Sequence, residues 1–215
     1  MSPRFLAILN LFYPLRCAAC GKDLAYDSPS RICAPCLASI QEIPPHPRPA
    51  FVRSSLRYEG TAKDLIHKFK YSGKDYLAGS FAPYLKRVWL QDDEMKTADV
   101  IACVPSHPAR LRDRGFNPSV ALAREFAQAV EKPYIPALER VRNTPSQTEL
   151  GREERARNME GAFRVIDPAI IRGKRTLLVD DVCTTGSTLS ECARTLRRAG
   201  SGEVFALTLA LQNLV

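Results

Sequence analysis

Nowhere in the 215 residues is there an apolar run approaching the roughly eighteen that a membrane-spanning helix needs. The chain also has no G-x-x-x-x-G-K-[ST] segment, which removes a Walker-type loop as its means of holding phosphate. A secretory leader finds little support. Phe5–Leu15 is apolar, but only Arg4 precedes it, Pro14 and Arg16 interrupt its end, and no small-x-small cleavage site follows. Arg16 likewise spoils a lipoprotein signal at Cys17. Phe5, Leu6, Leu9 and Phe12 fall on one face at helical spacing, so a short docking helix and a cytoplasmic location are expected instead. Acidic residues are in deficit, 23 against 31 Lys and Arg, and the net charge of +8 favours a phosphorylated or polyanionic partner. Charge alone does not choose between a nucleic acid and a small phosphate, and solvated surface accounts for such an excess equally well.

What is present begins with cysteine. Four of the seven stand as Cys17-x2-Cys20 and Cys33-x2-Cys36, with twelve residues between the pairs. Each C-x-x-C turn aims two thiolates at one point, Gly21 eases the turn behind Cys20, and two such knuckles suit tetrahedral Zn²⁺. Two disulfides are disfavoured in a reducing compartment, and a redox C-x-x-C needs only one pair. Zn²⁺ on Cys17, Cys20, Cys33 and Cys36 is therefore expected to fold a segment too small for a core of its own. Gln41–Ala50 follows, with four prolines and no periodicity, a stiff linker in which His46 reads as solvent-exposed. The expected division is an N-terminal helix and zinc module over 1–42, a linker over 43–50 and a main domain over 51–215.

The main domain alternates strand and helix patterns. Phe51–Tyr58 predicts a strand and 61–70 a helix, with Leu65, Ile66 and Phe69 inward and Lys63, Lys68 and Lys70 outward. That basic face is either a phosphate-binding surface or simply solvated. A second helix is expected over 75–90, with Leu77, Phe81, Leu85, Val88 and Trp89 as its apolar stripe. Val100–Val104 predicts a buried strand, followed by a loop, PSHPARLRDRGFN, whose Arg110, Arg112 and Arg114 suit a pyrophosphate or a nucleic-acid backbone. Asn117–Pro118 starts a helix through about Val130. Residues 143–158 are charged and lack an apolar face, as in a long loop or lid. Strands at 163–166 and 203–211 complete an α/β pattern, a parallel sheet flanked by helices.

The most informative stretch is RTLLVDDVCTTGSTL, from Arg175 to Leu189. Thr176–Val179 reads as a buried parallel strand, with Asp180 and Asp181 at its C-terminal edge, where open α/β sheets place ligands. Thr184, Thr185, Ser187 and Thr188 supply small hydroxyl donors around Gly186, and a helix closed by Gly200 follows. Backbone N–H groups at that helix start favour an anion. The carboxylates repel the same anion, so they suit a ribose diol next to it, or a magnesium ion. An ordinary strand–turn–helix capped by Asp and Thr is the competing account.

VDDVCTTGSTL resembles the phosphoribosyl-pyrophosphate (PRPP) motif of type I phosphoribosyltransferases. Together with the four-cysteine module, the V-P-x-H-P-x-R-L-R-x-R-G-F-N segment at Val104–Asn117, and Thr144, Gln147, Leu150, Arg155, Asn158 and Phe163, it makes nearly the whole chain similar to the ComF family, including its GntX-like members. Pro118 and Ser187 depart from the residues most usual there. The resemblance implies a type I phosphoribosyltransferase-like parallel sheet with a small zinc-ribbon module. It implies that Asp180 and Asp181 hold the ribose hydroxyls, while Thr184, Thr185, Gly186, Ser187 and Thr188 cup the 5′-phosphate. Ser106, Arg110 and Arg112, with Arg114, would neutralise the pyrophosphate with Mg²⁺, and Asp180, Asp181 and Arg114 form the expected catalytic set. Cys103, Cys183 and Cys192 read as packing thiols.

Two functions follow from the resemblance, whose members are linked to DNA uptake and use. One is a phosphoribosyltransferase-type enzyme acting on PRPP or a related ribose phosphate. The other is a non-catalytic adaptor for single-stranded DNA and DNA-uptake proteins that retains a PRPP pocket.

Overall fold

The structure, a computed structural model, describes residues 14–25, 27, 28, 30–44, 51–142 and 159–212. The expected N-terminal helix, His46 with the rest of the linker beyond residue 44, and the 143–158 segment lie outside the described residues.

The cysteine module is small. β1 (Leu15–Arg16) pairs antiparallel with β2 (Asp23–Leu24), and α1 (Ala34–Ala38) follows. Gly21 turns the chain with φ +76°, a backbone conformation that L side chains resist. Residues 41–43 then run antiparallel along the first strand of the main sheet, with Ile43 N–H donating to the Ser55 carbonyl and Arg57 N–H to that of Gln41. The expected linker thus begins, at Ile43, as chain already paired to the domain.

The domain continues with β3 (Val52–Arg57), α2 (Gly60–Tyr71), α3 (Leu77–Leu90), α4 (Asp93–Lys96), β4 (Val100–Cys103), α5 (Pro108–Arg114) and α6 (Pro118–Ala129). After these come β5 (Leu138–Arg140), β6 (Phe163–Val165), a 3₁₀ turn at Pro168–Ile170, β7 (Thr176–Cys183), α7 (Ser187–Arg198) and β8 (Val204–Leu211). The sheet is four parallel strands in the order β3-β8-β7-β4, as the alternating pattern predicts. Its strands alternate their side chains between two cores. Leu177, Val179 and Leu207 face α2, α3 and α6 with Leu65, Phe69, Phe81 and Phe126, whereas Leu178 and Ala206 face α7 with Leu189, Cys192 and Leu196. Burial on both faces is why these strands are apolar runs. The cysteine module shares the first core, to which it adds Cys17, Leu24, Ile32 and Ile40.

Two expectations are corrected. The PSHPARLRDRGFN segment is not all loop, because residues 108–114 form α5. His107 Nδ1 accepts from Ala109 N–H, Pro108 opens the helix, and Gly115 ends it at φ +78°. The strand at 163–166 exists as β6, but it pairs antiparallel with β5 and not with the parallel sheet. Among the described residues, an isolated parallel bridge between Ile101 and Tyr134 extends the sheet at the β4 edge.

A buried ion pair ties the first strand to α4. Arg53 Nε lies 2.6 Å from Asp92 Oδ2, with side chains 10% and 14% exposed. Asp92 also caps α4, its Oδ1 accepting from Met95 N–H at 2.9 Å.

Candidate functional site

β7 runs further than its apolar core suggests. It continues through Asp180 and Asp181 to Cys183, because β8 keeps pairing with it as far as Leu211. β4 stops at Cys103, opposite Val179. On the β4 side, Asp180 therefore lies beyond the last paired residue of β4 and meets Ser119 at the start of α6 instead of another strand, at the carboxyl end of the strands where open parallel sheets place their ligands.

Each acid is held by a different helix. Asp180 Oδ1 accepts from Ser119 Oγ at 2.8 Å, and Ser119 lies in the first turn of α6. Asp181 is buried, and its Oδ1 lies 2.7 Å from Nζ of Lys70 on α2. Burial, then the Asp181 charge, lifts the Asp180 carboxyl to about 7, against the Ser119 and Lys70 contacts that favour ionisation. Ser106 sits one step back: its Oγ donates to Asn117 Oδ1 at 3.2 Å, and the same oxygen caps α6 through Ser119 N–H at 3.1 Å. Ser106, Asn117, Ser119 and Asp180 thus form one chain of contacts.

The hydroxyl loop follows directly. Gly186 takes φ +75° and opens α7; as the N-cap residue it offers no side chain, and Ser187 N–H makes only a long 3.5 Å contact with Thr185 Oγ1. Thr184 is exposed, while Thr185 Oγ1 and Ser187 Oγ share a 2.8 Å hydrogen bond and Thr188 lies in the first helical turn. The backbone N–H groups and hydroxyls of Thr184–Thr188 surround one helix N-terminus, an arrangement that favours an anion.

The three arginines do not act as one patch. Residues four apart share a helix face and residues two apart do not, so α5 separates Arg112 from Arg110 and Arg114. Arg112 is exposed, and Arg114 donates to Tyr71 Oη at 2.9 Å with its guanidinium 4.6 Å over the ring. Arg140 on β5 was absent from the sequence reading. Burial and then the neighbouring Arg110 charge lower its pKa, and it also interacts with Asp180. The thiols near Asp180 are packing groups as expected: burial raises Cys103 and Cys183 to about 11 and lifts Cys192 well above the usual thiol range, so none offers a thiolate.

Lys70 and Ser119 were missed as well, and Lys70 reverses its expected outward direction. It sits one turn beyond buried Ile66, on the inward row of α2, a spacing visible in the sequence. Lys68 is not a free surface charge either, because its ammonium donates to the Ala18 and Ala19 carbonyls at 2.8 Å each.

The cysteines come together as their spacing predicts. The Sγ atoms of Cys17, Cys20, Cys33 and Cys36 all lie within 4.8 Å of one another, and those of Cys20 and Cys33 are 3.7 Å apart. Ligands about 2.3 Å from a tetrahedral zinc would stand about 3.8 Å apart, so the donor set fits a metal ion. Cys33 N–H also points at Cys17 Sγ, 3.3 Å away, as donors to a bound thiolate do. Beside the module an open groove of about 440 Å³ is lined by Arg16, Arg31, Lys68, Lys74 and Tyr76, and no acidic residue is among its described lining.

Comparison with known proteins agrees with this geometry. The phosphoribosyl transferase domain model matches residues 93–213, from α4 through β8. The chain belongs to that family. Within it the relatives are ComF-like. DNA utilization protein YhgH of Salmonella typhimurium is 33% identical over 192 residues, 87% of this chain and 80% of the relative. Competence protein F of Haemophilus influenzae is 28% identical over 201 residues, 90% and 83% of the two chains. Similarity to a solved adenine phosphoribosyltransferase from Thermoanaerobacter pseudethanolicus is looser, 14% identity and a TM-score of 0.43 over 83% of this chain and 98% of that one. The assignment rests on the family match and the parallel sheet. Among the described residues no helix is long and apolar enough to cross a membrane.

Proposed function

We propose that this phosphoribosyl transferase-family protein binds PRPP, or a related ribose phosphate, at the end of β7 and transfers its pentosyl group to an acceptor. The observation that carries this reading is the uncapped start of α7, with its hydroxyl loop, directly behind the Asp180–Asp181 pair. Thr184, Thr185, Gly186, Ser187 and Thr188 would hold the 5′-phosphate, and the two acids the ribose hydroxyls. In transfer, the bond from C1 to pyrophosphate breaks, the pyrophosphate leaves with the electron pair, and the acceptor bonds to C1. Arg110 and Arg114, which share a face of α5, would neutralise the leaving group, with Arg140 close to Arg110, whereas Arg112, expected to join them, lies on another face. Ser106 would serve by bracing the α6 cap. Mg²⁺ brought in with PRPP would spread charge on the pyrophosphate, near Asp180 and Asp181.

The cysteine cluster is read as a structural Zn²⁺ site, and residues 1–42, 43–50 and 51–215 as module, linker and catalytic domain of a cytoplasmic protein. The names of the relatives, DNA utilization protein and Competence protein F, support a role in DNA uptake or use. The basic groove favours a second reading, a non-catalytic adaptor for single-stranded DNA and uptake proteins that keeps the PRPP pocket.

Calorimetry with PRPP and Mg²⁺ tests the pocket: Asp181→Asn should weaken binding, and equal affinity would remove the assignment. Pyrophosphate release over a panel of nucleobases separates the two readings. Release with any of them supports the enzyme, whereas silence across the panel, with oligonucleotide binding that weakens as salt rises, supports the adaptor.

A further inference from the structure

The acid pair carries its own counter-ion. Lys70 leaves the last turn of α2 and ends 2.7 Å from Asp181 Oδ1, with 17% of its side chain and 11% of that of Asp181 exposed. An ammonium this enclosed persists because a carboxylate faces it. Burial opposes the charge, yet Asp181, and after it Asp180 and Tyr58, outweigh that and hold Lys70 above the usual lysine range. Its helix is also fixed from the other side. Lys68, two positions earlier and so roughly 200° around the helix, is bound to the Ala18 and Ala19 carbonyls of the first cysteine knuckle. The last turn of α2 is therefore held between the knuckle and the acids.

We propose that Lys70 is a positioning residue for sugar recognition, fixing Asp181 as an oriented carboxylate so that the pair grips a diol without first recruiting a cation. The inference rests on the reading that a ribose phosphate binds here. Oδ1 of Asp180 is taken by Ser119 and Oδ1 of Asp181 by Lys70. Both carboxylates are thus oriented by contacts made before any ligand arrives, which lowers the ordering cost of binding.

The charged surroundings allow the role to be isolated. Around Asp180 stand Asp181, Lys70 on α2, Cys103 on β4, Arg140 on β5, Cys183 on β7 and Cys192 on α7, with Ser119 as neutral donor. The three thiols stay neutral at ordinary pH. Removing Lys70 therefore takes away a positive charge that favours ionised Asp180, and Asp180 should retain its proton to higher pH.

The test is titration calorimetry of the full chain with ribose 5-phosphate and with n-butyl phosphate, a monoester without a diol, from pH 6 to 9. In the wild type ribose 5-phosphate should bind more tightly. In Lys70→Met that margin should shrink about tenfold and its pH profile should move upward, while butyl phosphate affinity holds, since the phosphate loop is untouched. Lys70→Arg, which keeps the charge, should recover much of the margin. If Lys70→Met does not fold, Lys70→Gln, which still donates to Asp181 without a charge, is read in the same way. An unchanged margin and pH profile in the neutral variant would overturn the role of Lys70 alone. A wild type that binds neither monoester would overturn the sugar-phosphate reading, and the role with it.

Discussion

Ser119 Oγ donates to Asp180 Oδ1 across 2.8 Å, joining the first turn of α6 to the final residues of β7. The two residues are 61 positions apart in sequence, and their contact fixes one member of the acid pair against α6. Ser119→Ala leaves a largely enclosed carboxylate without that donor. A loss of about 1–2 kcal/mol is expected from denaturant unfolding. An unchanged midpoint would mean that the contact is not maintained in solution.

The raised pKa of Asp180 makes a second prediction, with a definite sign. A carboxyl whose folded pKa is about 7, against an ordinary value of 3.8, favours the fold in its protonated form. That contribution is complete below the ordinary value and disappears as pH rises through 7. Asp180→Asn, which is neutral throughout, should therefore gain stability relative to wild type by roughly 1 kcal/mol between pH 6 and pH 8. Thermal melts of both proteins at the two pH values measure the difference directly. A stability of Asp180→Asn relative to wild type that stays constant, or falls, from pH 6 to pH 8 contradicts the account.

Metal content should follow the four thiols. One Zn²⁺ per purified chain is expected by elemental analysis, falling sharply in Cys33→Ser, since that residue belongs to the second knuckle and is one of the four clustered thiols. Chelation should lower the melting temperature of the wild type more than that of Cys33→Ser. Lys68→Met should share part of this loss, because it removes the ammonium whose two hydrogen bonds tie α2 to the Ala18 and Ala19 carbonyls.

Gly186 separates backbone strain from steric crowding. A Cβ added there would meet only Cys183 Sγ, at 3.9 Å, so space is not the obstacle. The positive φ is, and Gly186→Ala should cost about 1 kcal/mol in stability. Relaxation of that strain would turn the loop N–H groups away from a shared anion, so PRPP affinity should fall in calorimetry. A variant of lower stability with unchanged PRPP affinity would show that the left-handed turn does not shape the phosphate site.

The parts of this structure that could be read in the sequence are those whose causes are local. Thr176–Val179 is apolar because both faces of β7 are covered, and Gly186 stands where the chain needs φ +75°. The cysteine pairs came together because each knuckle is a short turn of its own. What escaped either depends on residues far away in sequence or is too short to show a pattern of its own. Lys70 looks like a surface lysine until Asp181, 111 positions later, supplies its partner. β6 pairs with β5, a strand of only three residues that is too short to show a pattern. α5 has seven residues and few of its own to bury, so its existence rests on the His107 cap and the Gly115 stop.

The most direct test of the central claim is a crystal structure of the protein with ribose 5-phosphate. The phosphate should lie on the N–H groups and hydroxyls of Thr184–Thr188, with the ring hydroxyls against Asp180 and Asp181. A sugar phosphate bound instead in the basic groove of Arg16, Arg31 and Lys74, with nothing at the end of β7, would contradict it.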